Sequence, residues 1–471
     1  MKSFQTICAG LIVIAGLLTA SPAWSQVQDS GAQPAATGSN DGPGQTQDQT
    51  QNQANDQMLT PPVVSGQSYP TAPTSEERSN YLRGGLAFTS AYTDNAVGAV
   101  NGHAISDVSY SIAPSMALDE TTARMHLVLS YAPGFTFYQR ESSLNETDQN
   151  STIDLHYRLS PHVTLSARDG FQKTSSIFNQ PDFGSVGAVS GGAQAPNFSV
   201  VAPIADLLRN SGNLGISYQF SVNGMVGASG TFSNLHYANP AQVSGLYDSS
   251  TQGGSAFYSL RISKKHYVGA TYQYQRLVSY PTTGSSETQT HAVLAFYTLY
   301  ATPRLSVSFF GGPQYSDTIQ PPLAPLQFQP PAATAWTPAA GGSLNWQGRL
   351  NSFAMSYSHV ISGGSGLIGA VHMDNASVSF RQQITRVLSG SLAGGYVQND
   401  VIGALLPGTY NGHTISATAS LQRQFYQNMN LQLGYTRLHQ DYGSVAVFAL
   451  TPDTNREFVS ISYQFSRPLG R

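Results

Sequence analysis

The chain has 471 residues, with 22 Lys and Arg against 25 Asp and Glu, a formal net charge of −3, and one cysteine, Cys8. That balance supplies no basic field for nucleic acid, and a lone thiol excludes an intrachain disulfide or a multi-cysteine metal site. Charged residues are only 10% of the chain, against roughly 25% in an ordinary soluble protein.

Lys2 opens a short basic region, and the apolar run from Leu11 to Ala20 follows it. The run is shorter than the roughly 20 residues a spanning helix requires. Residues 1–25 therefore read as a cleaved secretory signal, cut between Ser25 and Gln26 after Ala23-Trp24-Ser25. Cys8 precedes the apolar run, whereas the cysteine of a lipid anchor would follow it, so no lipoprotein is expected and the mature chain carries no thiol. Residues 26–79 are polar and low in complexity, as in Gln45-Thr46-Gln47-Asp48-Gln49. They have too little to bury to fold and read as a disordered periplasmic leader.

From Asn80 the pattern changes to strict alternation, the mark of strands. Ile153, Leu155, Tyr157 and Leu159 alternate with Asp154, His156 and Arg158; Val163, Leu165 and Ala167 alternate with Thr164, Ser166 and Arg168. Tyr258, Leu260 and Ile262 interleave with Ser259 and Arg261, and Ile415, Ala417, Ala419 and Leu421 with Ser416, Thr418 and Ser420. The apolar set is expected to face lipid and the polar set a hydrated interior. Short turns are expected near Asp119-Glu120, Ser160-Pro161, Asn223-Gly224, Lys264-Lys265, Thr302-Pro303, Gln347-Gly348, Thr385-Arg386 and Gln427-Asn428. Long polar or Gly-rich loops separate them. Eight short turns and nine long loops give 18 strands, with 16 as the alternative. Residues 80–471 thus read as an all-β, closed antiparallel transmembrane barrel of the bacterial outer membrane. Backbone groups in hydrocarbon must bond internally, which a sheet achieves only when it has no edge.

The last strand, Val459 to Phe465, alternates cleanly and ends on an aromatic. It resembles the C-terminal signal read by the barrel-assembly machinery, with Tyr463 and Phe465 as its aromatics, although Ser466 to Arg471 follow it. The segments Tyr218 to Met225, Tyr357 to Gly364 and Thr385 to Leu392 carry a wider likeness. Through them residues 80–471 resemble a class of large, uncharacterised outer-membrane β-barrels, porin-like in type, from environmental bacteria. The resemblance implies location and fold, with outer-membrane lipid and lipopolysaccharide as surroundings.

The third long loop, about Thr174 to Asn210, is the longest. Its Pro181-Asp182-Phe183-Gly184 is similar to the Pro-Glu-Phe-Gly stretch of the lumen-folded third loop of general porins, with Asp for Glu. The loop reads as a pore constriction or as an ordinary external loop, and Val200 to Arg209 as a short helix near it. Asp154, His156, Arg158, Arg168, Arg261 and Arg381 are candidates for a pore lining whose charges select ions and polar solutes; the alternative is that they pair and hold a closed lumen. Tyr267, Tyr272, Tyr274, Tyr280, Phe296, Tyr297 and Tyr300 read as interfacial girdles or, if inward, as a sugar-stacking track. His359 and Ser362 lack the spacing and the neighbouring Asn of outer-membrane phospholipases, so no catalysis is expected. No cofactor or metal is expected either, since the histidines are scattered. The expected function is passive passage of small polar solutes; the alternative is a non-transporting barrel serving structure, adhesion or polysaccharide export. Residues 26–79 are too polar to form a plug domain of the kind active uptake requires.

Overall fold

The computed structural model describes residues 80–96, 104–174, 207–238, 245–281, 284–319, 332–364, 366–367, 369–402, 411–442 and 453–468. The signal, the leader and Pro181-Asp182-Phe183-Gly184 lie outside these residues. The alternating sequence forms β1 (Asn80–Thr93), β2 (Asp107–Thr121), β3 (Met125–Tyr138), β4 (Glu146–Arg158), β5 (Val163–Thr174) and β6 (Leu207–Gln219). Next come β7 (Gly224–Tyr237), β8 (Asp248–Ser263), β9 (His266–Tyr280), β10 (Ser286–Thr302), β11 (Leu305–Ile319) and β12 (Ala333–Gln347). The last six are β13 (Asn351–Gly363), β14 (Ala370–Gln383), β15 (Leu388–Val401), β16 (Gly412–Tyr426), β17 (Met429–Tyr442) and β18 (Asp453–Pro468). Each strand pairs antiparallel with the next, and β18 pairs with β1. The sheet is therefore a closed 18-stranded barrel, and 16 is excluded. Arg209, expected at the end of a short helix, instead stands in β6.

Eight connections hold two to four residues and nine hold five or more, all of one kind at each end. By the usual asymmetry of such barrels the short-turn end is periplasmic. Hydroxyl residues open most of the short turns. Thr122 Oγ1 accepts the Met125 N–H at 3.0 Å, Ser160 Oγ that of Val163 at 3.1 Å, and Thr385 Oγ1 that of Leu388 at 3.1 Å. Such local bonds fix a tight turn without requiring Asn-Gly. The expected turn at Asp119-Glu120 lies instead at residues 122–124, and both acidic residues complete β2.

Alternation is visible along β10. Ser286, Thr288, Thr290, Ala292, Leu294, Phe296 and Thr298 are buried, and the residues between them are not. The exposed set elsewhere includes Leu86, Ile112, Leu214, Phe309, Leu392 and Leu433, which form the apolar outer wall. The strands have 12 to 17 residues, while an apolar band ~25 Å tall requires only ~9–11 tilted residues. The surplus carries outward polar pairs above the band. His236 Nδ1 lies 2.6 Å from Asp248 Oδ2, Arg276 donates twice to Glu287 at 2.8 and 2.7 Å, and Arg437 reaches Asp453 at 3.1 Å.

The seam between β1 and β18 aligns Gly84 with Phe465 and Leu86 with Tyr463. Both aromatics of the expected assembly signal face outward and are exposed. The Phe465 ring occupies the space that a Cβ on Gly84 would take. Gly84→Val is therefore expected to displace the ring and weaken closure. The check is the fraction of chain that keeps its compact, unheated mobility on a denaturing gel, which should fall well below the parent's.

Candidate lumen and mouth constriction

The inner face is tiled by cross-strand hydroxyl pairs. Ser229 and Ser255 lie 2.7 Å apart, Ser356 and Ser377 2.7 Å, Thr298 and Ser308 2.9 Å, and Ser391 and Ser420 2.8 Å. Each such pair contributes roughly 0.2–1 kcal/mol and satisfies two polar groups without charge. This explains how a polar inner wall coexists with so few ionised residues.

Near the periplasmic end the inward charges link into a chain, while Asp107, Asp148 and Arg209 are buried toward the long-loop end. Arg83 Nη2 lies 3.0 Å from Asp119 Oδ2, and His126 Nε2 lies 3.3 Å from Asp119 Oδ1. His126 stands opposite His156, whose Nε2 lies 3.2 Å from Asp154 Oδ1, and Asp154 stands opposite Arg168. The result is one row of acidic and basic groups across β1 to β5. Arg83, His126 and Asp154 keep side-chain exposures of 55, 38 and 36%. By contrast Ser259, Thr298, Ser308 and Gln314, inward on β8, β10 and β11, are at most 1% exposed.

Of the six candidates, Asp154, His156 and Arg168 belong to this row. Arg158, Arg261 and Arg381 occupy inward positions within three residues of a short turn. Arg261 Nε donates to Asn223 Oδ1 at 2.9 Å and so ties the wall to a turn. Sequence reasoning missed Arg83, Asp119 and His126. Alternation carried through to Thr121 would have placed Asp119 inward beside them; the turn assigned at Asp119-Glu120 concealed this.

The interior is not uniformly polar, which corrects the expected division of apolar and polar faces. Met225, Phe257, Leu294, Phe296 and Phe310 point inward and join a buried apolar cluster with Val360, Leu367 and Val371. The aromatic group divides accordingly: Tyr272, Tyr274, Tyr280 and Tyr297 face out, while Tyr267, Phe296 and Tyr300 face in. Tyr267 and Tyr300 meet edge to face at 5.6 Å. A residue count of two along each strand fixes only the face; here the inner face itself accepts apolar side chains because something covers them.

Part of that cover is the tip between β13 and β14. Above His359 the hairpin leaves the wall and turns inward. The Ile361 N–H donates to Gln314 Oε1 on β11 at 3.1 Å, and the Gly369 N–H to Ser279 Oγ on β9 at 2.8 Å. The Tyr247 N–H donates to the Gly366 carbonyl at 2.7 Å, so the tip is held from the β7–β8 side as well. Ile361, Leu367, Ala370 and Val371 are at most 1% exposed. Gly366 and Gly369 have φ of +97° and +78°, a region open to glycine at little cost. A Cβ on Gly366 would also strike the Tyr237 hydroxyl. Among the described residues it is thus the seventh long loop whose tip packs inward; the third, where a constriction was expected, lies outside them.

His359 faces outward, where its Nδ1 lies 2.9 Å from Asp374 Oδ1, and the Tyr357 hydroxyl donates to the same oxygen at 2.6 Å. Ser362 is buried on the opposite face of the strand. Among the described residues no group of three His, Cys, Asp or Glu is placed to hold a metal.

No family model matches the chain, and no curated protein does. Solved structures to which it is similar include OccAB4 of Acinetobacter baumannii, at 10% identity over 83% of this chain and 100% of that one, with a TM-score of 0.42. The ferric citrate transporter FecA is 9% identical over 82% of this chain and 79% of its own, with a TM-score of 0.43. The outer membrane protein OpdK of Pseudomonas aeruginosa is 9% identical over 82% and 99%, with a TM-score of 0.39. The closed ladder, the apolar outer wall and the opposed short turns and long loops make this chain a closed transmembrane β-barrel of the bacterial outer membrane.

Proposed function

We propose that the barrel is a passive channel for small polar solutes, which pass along the polar inner wall of β1 to β5 and are sieved at the mouth by the β13–β14 tip. The observation that carries this reading is the row Arg83, Asp119, His126, His156, Asp154 and Arg168, whose end members Arg83 and Arg168 are exposed and whose middle members are partly so. Charges buried only to brace a closed lumen would be expected to lose their exposure, because each is costly away from water. Facing groups of both signs give a local field that orients dipolar solutes. The outward ion pairs above the apolar band suit the lipopolysaccharide headgroup region, and the Tyr463–Phe465 strand suits recognition by the assembly machinery.

The test is single-channel recording of the refolded full chain in a planar bilayer. Steady conductance steps are expected. A folded barrel that conducts nothing would overturn the reading. It would favour a barrel closed at its mouth, the alternative to which the buried tip lends support, with the loops as its working surface.

A further inference from the structure

Across the middle of the outer wall, ionisable side chains are almost missing. Among the described strands, every outward Asp, Glu, Lys, Arg or His but one lies within three residues of its strand's periplasmic end or at least eight above it. The exception is Asp169, six residues above the start of β5. At ~2.3 Å of height per residue for a strand tilted ~45°, that is roughly 14 Å up an apolar band ~25 Å tall. An acid facing hydrocarbon at that depth is costly unless a partner meets it.

Among the described residues Asp169 has no such partner. Its Oδ1 is shielded from solvent and accepts no hydrogen bond, and the same holds for Asn210 Oδ1 on the neighbouring β6. Both line a cleft of about 640 Å³ that opens on the lipid side of β4 to β7, together with Ile153, Leu214 and Phe232. Gly212 stands opposite Asp169 and alternates with the exposed Leu214 and Ile216, so it too lies on the outer face. The Phe232 ring fills the space that a Cβ on Gly212 would take, and Asp169 Oδ1 lies 3.0 Å from the same point.

An acyl chain entering this cleft brings no hydrogen-bond donor and leaves both oxygens unsatisfied. The same wall carries a donor of the right depth on the other side of β4. Tyr131 stands six residues above the start of β3, level with Asp169, and is 45% exposed on the outer face. Between the two strands β4 presents Ile153, opposite Asp169, and Ser151, opposite Tyr131. A two-fold axis along the membrane normal preserves depth and exchanges left for right. Set over Ile153 and Ser151, such an axis brings Asp169 of one copy opposite Tyr131 of the other, and does so twice.

From this geometry we infer that the lipid-facing wall of β3 to β6 is an interface with a second copy of this chain, a two-fold contact centred on β4. The Tyr131 ring of each copy enters the cleft of the other, and its hydroxyl donates to the Asp169 carboxyl. The pairing satisfies an acid that one copy alone leaves facing hydrocarbon. It is separate from the axial passage of polar solutes and holds whether or not the lumen conducts.

The experiment uses outer membranes carrying the full chain with Cys8→Ser, so that an introduced thiol stands alone. Ile153→Cys sets that thiol at the axis, and mild oxidation should convert most of the chain to a covalent dimer. Met355→Cys is the control and should stay monomeric, because it is 53% exposed on β13, nine strands from β4 on the opposite wall. Adding Tyr131→Phe to Ile153→Cys keeps the ring and removes only the hydroxyl; the cross-linked fraction should fall several-fold while the compact, unheated mobility is kept. Asp169→Leu, which suits a lipid-facing site, should lower it likewise. The inference is overturned if I153C forms no dimer or cross-links only to another protein. It is also overturned if M355C cross-links as readily, or if Y131F and D169L both leave the cross-linked fraction unchanged.

Discussion

Gly366→Val is expected to raise single-channel conductance several-fold and to add rapid flicker, while the barrel itself stays folded. The position requires a φ of +97°, which a β-branched residue adopts only under strain of order 1–2 kcal/mol. The new side chain would also collide with Tyr237. The Gly366 carbonyl would then lose the Tyr247 N–H, and Gly369 its bond to Ser279. These are the contacts that hold the tip across the mouth, and nothing in the 18-strand ladder depends on them. Gly363→Ala is the matched control, because a Cβ there meets only ordinary contacts at 3.5 Å and beyond; its conductance should equal the parent's. Unchanged conductance in G366V, with the tip shown to be released by increased protease cleavage near residue 366, would mean that the tip does not obstruct the path.

The charge row is expected to set ion preference. Asp154→Asn leaves Arg168, His156 and Arg83 and should shift permeability toward anions. Arg168→Asp leaves Asp154 and Asp119 and should shift it toward cations, changing the permeability ratio several-fold. The double swap of Asp154→Arg with Arg168→Asp keeps the local charge, since the two residues stand opposite each other, and should lie close to the parent. Reversal potentials in a salt gradient measure all three. Screening supplies the sign of the control: the Debye length is ~10 Å at 0.1 M and ~3 Å at 1 M, so the differences should shrink as salt rises. Equal reversal potentials in parent and both single variants at low salt would show that ions do not pass this row.

Most of the barrel was legible because its signals are local. Alternation along Ile153 to Leu159 or Ile415 to Leu421 reports a strand with two unlike faces, a property of the chain itself in a lipid solvent. The opposition of short turns and long loops gave 18 strands with 16 left open, since most short turns carry their own hydroxyl or glycine chemistry within four residues. The failures are equally physical. At the end of β2 an acidic pair outweighed the alternation and displaced a turn by three residues, which hid Asp119 from its partners Arg83 and His126.

The amino-acid sequence by itself pointed to a closed barrel of 18 strands with 16 left open, to the short-turn end as periplasmic, and to one shared face for Asp154, His156 and Arg168. Only the tertiary structure decided which charges meet, because the β1–β5 row depends on the register of four strand pairs. It alone decided that phenylalanines of β8, β10 and β11 turn inward and that the β13–β14 tip packs inward. The tip rests on bonds such as Gly369 to Ser279 and Ile361 to Gln314, 90 and 47 residues apart. Contacts of that range follow from the curvature of a closed sheet, which brings distant strands to face one another, and no short window of residues contains that geometry.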